Sequence, residues 1–272
     1  MFNTSLQKRT LAQQVADSIK QSVLRGELSA GEALPTEPEL AEQFAVSRAV
    51  VRDAVRLLSA LGLVDVRHGR GMYITEPGTD ALSEALFIAL RRRGASVWDV
   101  EELQQVLLPR IIALATERAT EEELNGLDDA AERNIEVFRE VVAASEEAGR
   151  ELSELETARM AEAYGDFYQR LYAASHNRVM ELLAQPLYRL LSLKSWESGE
   201  EPAEASVERE RAVFRSVLDA MRTRDPEHAA AETVRSFDLY TESAREAMRR
   251  TPIGDGAVLP EGLPWPGERH GE

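Results

Sequence analysis

The stretch VSRAVVRDAVRLLSAL, residues 46–61, predicts a helix with two unlike faces. Its apolar residues recur at the i, i+4, i+7 spacing of a buried helical stripe, namely Val51, Val55 and Leu58. Its basic residues form an i, i+4, i+8 row on the opposite face, namely Arg48, Arg52 and Arg56. Ser47 is the expected N-cap, because its hydroxyl is able to accept a hydrogen bond from a free N–H of the first turn. Such a helix is suited to lie with its basic face against an anionic partner.

The residues on either side of this helix predict a helix-turn-helix and a hairpin. Upstream, residues 34–44 predict a shorter helix, opened by a capping box of Thr36 and Glu39 and followed by a short turn. Downstream, residues 63–74, LVDVRHGRGMYI, contain two short β-rich runs around a basic tip that carries glycine. A helix-turn-helix followed by such a hairpin is a winged helix.

Residues 11–74 resemble, almost from end to end, the DNA-binding domain of GntR-type bacterial transcription regulators. The matching motifs occur in order: the GEL turn, LPTE, ELA, VSR followed by VR, GLV and GRG. The resemblance implies that Arg48 and Arg52 contact DNA in the major groove, and that the wing tip enters the minor groove through His68, Gly69 and Arg70. Further residues expected at this DNA surface are Thr36, Ser47, Ala49, Arg56 and Arg67. Pro38 stands where many members have a DNA-contacting arginine, so we expect that contact to be missing.

Length and composition favour a cytoplasmic protein of two domains. The chain has 272 residues and no cysteine, which excludes disulfides and thiolate metal sites. No apolar run approaches the roughly 20 residues that span a bilayer, and the first nine residues lack the apolar core of a signal peptide. We therefore expect no membrane partner.

The net charge of −16 is unevenly distributed along the chain. Residues 1–76 contain nine Lys and Arg against nine Asp and Glu, so the remainder carries the whole negative charge. DNA affinity depends on local clusters of cations that contact phosphates. Five arginines crowd the short stretch 48–70, which fits a DNA-binding segment within an acidic protein.

Beyond residue 78 the apolar pattern is helical throughout, so we predict a mainly α protein: an N-terminal winged helix-turn-helix domain followed by an all-α helical bundle domain. Candidate helices cover 80–93, 97–119, 121–149, 151–174, 177–195, 204–223 and 226–249. The predicted domains are 1–76 for DNA binding and 77–250 for effector binding and dimerisation. Residues 251–272 are rich in Pro and Gly and are predicted to form a disordered tail.

The second domain resembles the all-helical ligand-binding domain of FadR-like regulators within the GntR group. The resemblance rests on LATERATEEEL, on FYQRLYAASHNRVMELL and on FRSVLDAMRTRDPEHA. Many relatives bind a divalent metal here through one aspartate and three histidines. Those four positions align with Tyr164, Tyr168, Phe214 and Ser236, which are poor metal ligands. We therefore expect no metal and no other cofactor.

The same aligned positions define a candidate effector pocket. Two further pocket positions of the family, usually arginine and glutamate, align with Gln104 and Leu108. Tyrosine, phenylalanine, leucine and glutamine favour a larger and more apolar ligand than a small hydroxy acid, and a fatty acyl-coenzyme A fits that chemistry. A second interpretation is that these aromatic residues only fill the bundle core and that no ligand binds.

The functional prediction is a homodimeric transcription regulator that binds a palindromic double-stranded DNA operator and responds to a small molecule. The alternative is a ligand-independent DNA-binding protein whose helical domain serves only dimerisation. An enzyme is a poor fit, because the sequence has no Glu-x-x-His pair, no histidine cluster and no nucleophile motif.

Overall fold

The computed structural model describes residues 9–67, 69–76, 78–150, 152–191, 203–238 and 242–253. The chain divides into two compact units, Met1–Leu82 and Ser83–Glu272. Among the described helices, none is both long and apolar enough to cross a bilayer.

The first unit is a winged helix. Its helices are α1 (Leu11–Leu24), α2 (Glu37–Gln43) and α3 (Arg48–Ala60), and its strands are β1 (Ala33–Leu34), β2 (Val64–Arg67) and β3 (Gly71–Ile74). The strands form an antiparallel sheet in the order β1-β3-β2, with Val64 opposite Ile74. Val51, Val55 and Leu58 are buried as predicted, and they pack with apolar residues of α1, α2 and the sheet. Apolar burial of this kind is what fixes α3 with its arginines outward.

Hydrogen bonds at the helix starts confirm the predicted caps of this unit. The Val50 N–H donates to the Ser47 hydroxyl at 3.3 Å, and the Thr36 N–H donates to the Glu39 carboxylate at 2.8 Å. The turn between α2 and α3 contains Ala45 at φ +52°, a left-handed conformation that costs energy for a residue with a Cβ.

The second unit is all helical in its described part. Its helices are α4 (Asp80–Arg92), which begins in the first unit, α5 (Val97–Arg118), α6 (Glu121–Ala148), α7 (Glu154–Ala174), α8 (Arg178–Leu191), α9 (Ala203–Arg222), α10 (Pro226–Phe237) and α11 (Glu242–Arg250). A single core joins α5 to α10, with fully buried residues such as Ile111, Leu124, Leu171 and Met221. The predicted mainly-α architecture is thereby confirmed.

The described end of the chain packs against the start of α5. The Ile253 side chain is fully buried beside Val100 and apolar residues of α4, and the Ile253 N–H donates to the Ala95 carbonyl at 3.0 Å. The Val97 N–H donates to the Thr251 carbonyl at 2.9 Å. The predicted tail therefore includes three residues, 251–253, that contact the bundle, and residues 254–272 lie outside the described part.

Two element predictions need correction. The strand β1 was not predicted; the helix expected over 34–44 begins only at Glu37, because Leu34 pairs with Met72 of β3 instead. The single helix expected over 226–249 is two helices, α10 and α11, with residues 239–241 outside the described part.

Candidate DNA interface and helical-domain interior

The exposed face of α3 carries the three predicted arginines in unlike electrostatic settings. Arg52 contacts Glu37 of α2, with Nη2 at 3.1 Å from the carboxylate, and Arg56 contacts Asp53 at 3.2 Å. The Glu37 carboxylate, which accepts hydrogen bonds from Arg52, raises the pKa of Arg52 above its usual value. Within the described residues no carboxylate pairs with Arg48. Arg48 is therefore the cation of this helix best placed to meet an external anion.

The wing is the hairpin of β2 and β3, and its tip is fixed by local bonds. The Arg70 N–H donates to the Arg67 carbonyl at 2.9 Å, and the Tyr73 hydroxyl donates to the Arg70 carbonyl at 2.9 Å. Gly69 has φ +73°, a conformation that disfavours any residue with a Cβ. His68, the remaining predicted residue of the tip, lies outside the described residues.

One of the two wing arginines has an acidic partner among the described residues and the other does not, as is also the case for the arginines of α3. Arg67 contacts Asp65 at 2.8 Å, and its guanidinium lies 4.7 Å from the centre of the Tyr73 ring. Among the described residues, no acidic side chain pairs with the exposed Arg70. A guanidinium without an internal partner loses less on moving to a phosphate, because no existing ion pair has to break.

The other predicted DNA residues lie at helix starts. Ser47 caps α3, and the Thr36 hydroxyl donates to Glu39 at 2.7 Å, so both hydroxyls are engaged within the protein. Hydrogen bonds from Thr36 lower the pKa of Glu39. Ala49 is exposed in the first turn of α3. The structure thus places Thr36, Ser47 and Ala49 near the N-terminal ends of α2 and α3, where a backbone is able to approach an anion closely.

In the helical domain, the structure brings three of the predicted pocket residues into one aromatic group. Tyr164 and Tyr168 of α7 have ring centres 4.7 Å apart and hydroxyl oxygens 3.1 Å apart. Phe167 links this pair to Phe214 of α9, because its ring centre lies 5.3 Å from that of Tyr168 and 4.6 Å from that of Phe214. Phe214 is buried and the two tyrosines are half-buried.

Gln104 and Leu108 lie on the inward face of α5. Both are buried, and the Gln104 amide oxygen accepts a hydrogen bond of 3.2 Å from the Tyr172 hydroxyl. Burial raises the pKa of Tyr172 to about 12, against the smaller opposite effect of the Gln104 bond. Tyr172 is therefore a neutral hydrogen-bond donor at ordinary pH.

Ser236 of α10 is the predicted pocket residue whose hydrogen bond stays within its own helix. It is half-buried, and its hydroxyl donates to the Thr233 carbonyl of its own helix at 2.7 Å. A groove of about 590 Å³ does lie along α10 and α5, with Val106 and Arg110 among its lining residues. This groove is open to the surface, and none of the six predicted pocket residues lines it.

Tyr172 of this interior was not predicted, whereas the helical spacing of Phe167 predicts the core position at which it is found. Tyr172 continues the i, i+4, i+8 spacing that begins at Tyr164 and Tyr168, so helical periodicity offered a signal for it. Phe167 lies four residues before Leu171, and both are buried, as that spacing predicts. Within the described residues, no three His, Asp or Glu side chains gather into a group that is able to hold a metal ion.

Two family models together match most of the chain. Residues 11–74 match the model described as bacterial regulatory proteins of the gntR family, and residues 99–238 match the FCD domain. The chain belongs to the GntR family of transcription regulators. Its helical domain is of the FCD type, which fits the FadR-like resemblance.

Several relatives are named as transcription regulators. The chain is 36% identical over 108 residues to LutR of Bacillus subtilis, covering 40% of this chain and 49% of that protein. It is 36% identical over 127 residues to Mce2R of Mycobacterium tuberculosis, covering 45% and 53%. The alignments thus span about half the length of these relatives. A longer match, to the repressor NanR of Cronobacter sakazakii, is 24% identical over 235 residues and covers 82% and 81%.

The fold also resembles a solved structure. A Streptococcus agalactiae GntR aligns with a TM-score of 0.58 and 25% sequence identity, covering 87% of this chain and 99% of that one. The likeness extends over both the winged helix and the helical domain.

Proposed function

We propose that the chain binds a palindromic operator as a homodimer, with one α3 in the major groove of each half-site. The observation that carries this proposal is the exposed arginine face of α3 beside a wing whose Arg70, like Arg48, has no acidic partner among the described residues. A two-fold dimer matches two half-sites because each recognition helix needs its own stretch of groove. The DNA residues proposed above are the ones that make these contacts.

The test of DNA recognition is the effect of Arg52→Ala on a selected operator. The expected loss of affinity is about 10- to 100-fold, the range for one bidentate contact to a base edge. Fluorescence anisotropy with a labelled duplex measures it. An operator affinity equal to that of the unaltered protein removes Arg52 from the interface.

The proposed dimer surface is the outer face of α5 and α10. Val106 of α5 is 74% exposed, and Leu103 of α5 and Val234 of α10 are exposed as well. Leu103 and Val106 share a helix face at i, i+3 spacing, next to the groove described above. Exposed apolar side chains of this kind are favoured where a second subunit covers them.

Val106→Glu should therefore shift the protein toward monomers, because a charge in an apolar interface is costly to bury. Light scattering coupled to size exclusion measures the mass. Leu82→Glu on α4 is the matched control, since Leu82 is also exposed but lies outside this face. A dimer that survives Val106→Glu unchanged places the interface elsewhere.

We further propose that the effector occupies the interior around Tyr164, Tyr168 and Phe214, and that a fatty acyl-coenzyme A is the ligand class. The aromatic and apolar lining supports this class, because it offers contact to a long acyl chain and few charges. Ligand binding would favour a dimer geometry in which the two α3 helices no longer match both half-sites, with a coupling of about 1 to 3 kcal/mol.

A ligand-independent regulator is the second candidate, and one observation favours it. Leu108 and Phe214 are buried in the same core, and the hydroxyls of Tyr164 and Tyr168 bond to each other. Native mass spectrometry of the protein from its own host separates the two candidates. A retained mass equal to an acyl-coenzyme A supports the effector proposal, and an empty dimer supports the ligand-independent one.

Phe214→Asp tests the same proposal in solution. The variant should no longer release operator DNA on addition of palmitoyl-coenzyme A, because a carboxylate in the apolar interior repels the acyl chain. Its operator affinity without ligand should stay unchanged, and circular dichroism should confirm that it folds. A response equal to that of the unaltered protein places the ligand outside this interior.

A further inference from the structure

Glu37 is the first residue of α2, and it crosses to α3 to hold Arg52. Its carboxylate accepts from Arg52 Nε at 3.3 Å and from Arg52 Nη2 at 3.1 Å, over fifteen residues of sequence. The Glu37 side chain is 29% exposed, half the exposure of the Arg52 side chain at 58%. The contact therefore joins the two helices of the helix-turn-helix at its outer surface.

The contact engages one edge of the guanidinium and leaves another open. A guanidinium has five N–H donors in one plane, and Glu37 takes the edge formed by Nε and Nη2. The terminal edge, formed by Nη1 and the second hydrogen of Nη2, still presents two parallel donors. Two parallel donors match the O6 and N7 acceptors that guanine shows in the major groove.

The other arginines of α3 lack such a tether. Arg56 is bonded through Nη1 to Asp53 of its own helix, so its partner comes from α3 itself and not from α2. Arg48 has no acidic partner among the described residues. On this face, Arg52 is thus the arginine whose guanidinium plane is held by a residue of a second helix. Its terminal edge stays open.

We propose that Glu37 is a positioning residue that sets DNA specificity, by holding Arg52 through its Nε edge so that the terminal edge contacts a guanine in each half-site. The proposal rests on the proposed function of α3 as the recognition helix. Contacts to phosphate accept many orientations of a guanidinium and carry no sequence information, whereas a bidentate base contact needs one orientation. The Glu37 charge also opposes phosphates nearby, so it weakens binding to DNA of any sequence.

The test compares Glu37→Gln with the unaltered full chain on three kinds of duplex. The first is an operator selected by the protein from random sequence, the second is a scrambled duplex of equal composition, and the third is a set of operators with each G·C pair replaced in turn. Anisotropy titrations at fixed salt give the ratio of operator to scrambled affinity. The expected result for Glu37→Gln is a ratio lowered about tenfold, with tighter binding to the scrambled duplex.

Glu42→Gln is the matched control for charge. Glu42 is an exposed carboxylate of the same helix that makes no hydrogen bond to Arg52. Glu42→Gln should raise the affinity for the operator and for the scrambled duplex by the same factor, so the ratio of the two affinities stays unchanged. An equal fall in the ratio for both variants overturns the positioning role.

Arg52→Lys supplies a second route that does not depend on how Glu37→Gln folds. Lysine keeps the charge but has no Nε edge for Glu37 and no fork for guanine. For Arg52→Lys, replacing one particular G·C pair in each half-site should no longer lower the affinity for the operator. Adding Glu37→Gln to Arg52→Lys should not lower the ratio of operator to scrambled affinity any further. A full additional loss in the double variant shows that Glu37 acts without Arg52.

The outcomes separate this inference from the proposed function. If the unaltered protein shows no preference for any selected duplex, the proposed operator binding fails. If it prefers its operator and Glu37→Gln preserves both the ratio and the penalty at every G·C pair, the inference about Glu37 alone is overturned.

Discussion

Arg48 of the DNA-binding domain and Arg224 of the helical domain have the same side chain in opposite surroundings. Arg48 is exposed on α3 and has no acidic partner in the described part of the chain. Arg224 Nη1 donates to the Thr116 and Ala119 carbonyls at 3.2 and 2.6 Å, and Nη2 donates to Glu121. One arginine is left available for a partner, whereas the other stabilises the end of α5.

Other arginines of the helical domain follow the second pattern. Arg118 Nη1 donates to the Ser175 carbonyl at the end of α7 at 2.9 Å, and Arg222 bonds to Asn125 and Asp128 of α6. The last carbonyls of a helix lack internal partners, and cations near them also interact favourably with the helix dipole. Arginines are therefore present in both domains, and what distinguishes the DNA-binding surface is that an arginine there is left without an acidic partner among the described residues.

Removing the Arg224 side chain should have the largest effect on stability. We expect Arg224→Ala to lower the free energy of unfolding by about 2 kcal/mol, because charged hydrogen bonds to two carbonyls are lost. Urea unfolding followed by circular dichroism measures it. Arg235→Ala is the control, since exposed Arg235 contacts only Glu232 of its own helix among the described residues. Equal losses of unfolding free energy in the two variants would show that the carbonyl bonds of Arg224 stabilise the protein no more than the surface ion pair of Arg235 does.

Removing the available arginine should affect DNA and not stability. Arg48→Ala is expected to weaken operator binding about tenfold and to lower the slope of log K against log salt by about 1. Its unfolding midpoint should match that of the unaltered protein. Arg25→Ala, which removes an exposed arginine paired with Glu27, should leave both quantities near their original values. A loss of stability in Arg48→Ala would mean that this arginine also serves the scaffold.

A smaller effect is expected at the buried polar contact of the helical domain. Tyr172→Phe should cost about 1 kcal/mol, because it leaves the buried Gln104 amide oxygen without its donor. The raised pKa also predicts a pH dependence. The folded protein holds the phenol proton up to about pH 12, so this part of the stability is present below pH 10 and is lost as pH rises from 10 to 12. Urea midpoints across this pH range should fall less for Tyr172→Phe.

The smallest change is expected at the turn before α3. Ala45 has φ +52°, so Ala45→Gly should raise the free energy of unfolding by about 0.5 kcal/mol, after the entropy that glycine gains in the unfolded chain is deducted. Differential scanning calorimetry detects the shift. A decrease in stability would show that the methyl group makes contacts worth more than the backbone strain.

Residue patterns predicted the DNA-binding domain better than the interior of the helical domain. The caps at Ser47 and Thr36 and the buried stripe of α3 depend on spacing within a few residues, which a sequence displays directly. The strand β1 has two residues, too few for an alternating pattern. The contact between Glu37 and Arg52 joins separate helices, so it follows only from the way those helices pack.

The candidate pocket illustrates the same limit within the helical domain. Sequence resemblance assigned Tyr164 and Tyr168 to the pocket, and their i, i+4 spacing brings them together on α7, whereas the role of Phe167 as the link to Phe214 depends on how α7 faces α9. Sequence resemblance aligned Ser236 with the pocket, yet its hydroxyl bonds within α10. Which residues surround a common volume is decided by tertiary packing, and tertiary packing is not periodic in the sequence.

Recognition of DNA by α3 is tested most directly by the affinity of the full chain for its selected operator relative to a scrambled duplex, measured by anisotropy at one physiological salt concentration. We expect the operator to bind at least about 1,000-fold more tightly. We also expect Arg48→Ala and Arg52→Ala each to weaken operator binding without unfolding the protein. Equal affinity for the two duplexes, or operator binding that neither substitution affects, would contradict the claim that the arginine face of α3 recognises DNA.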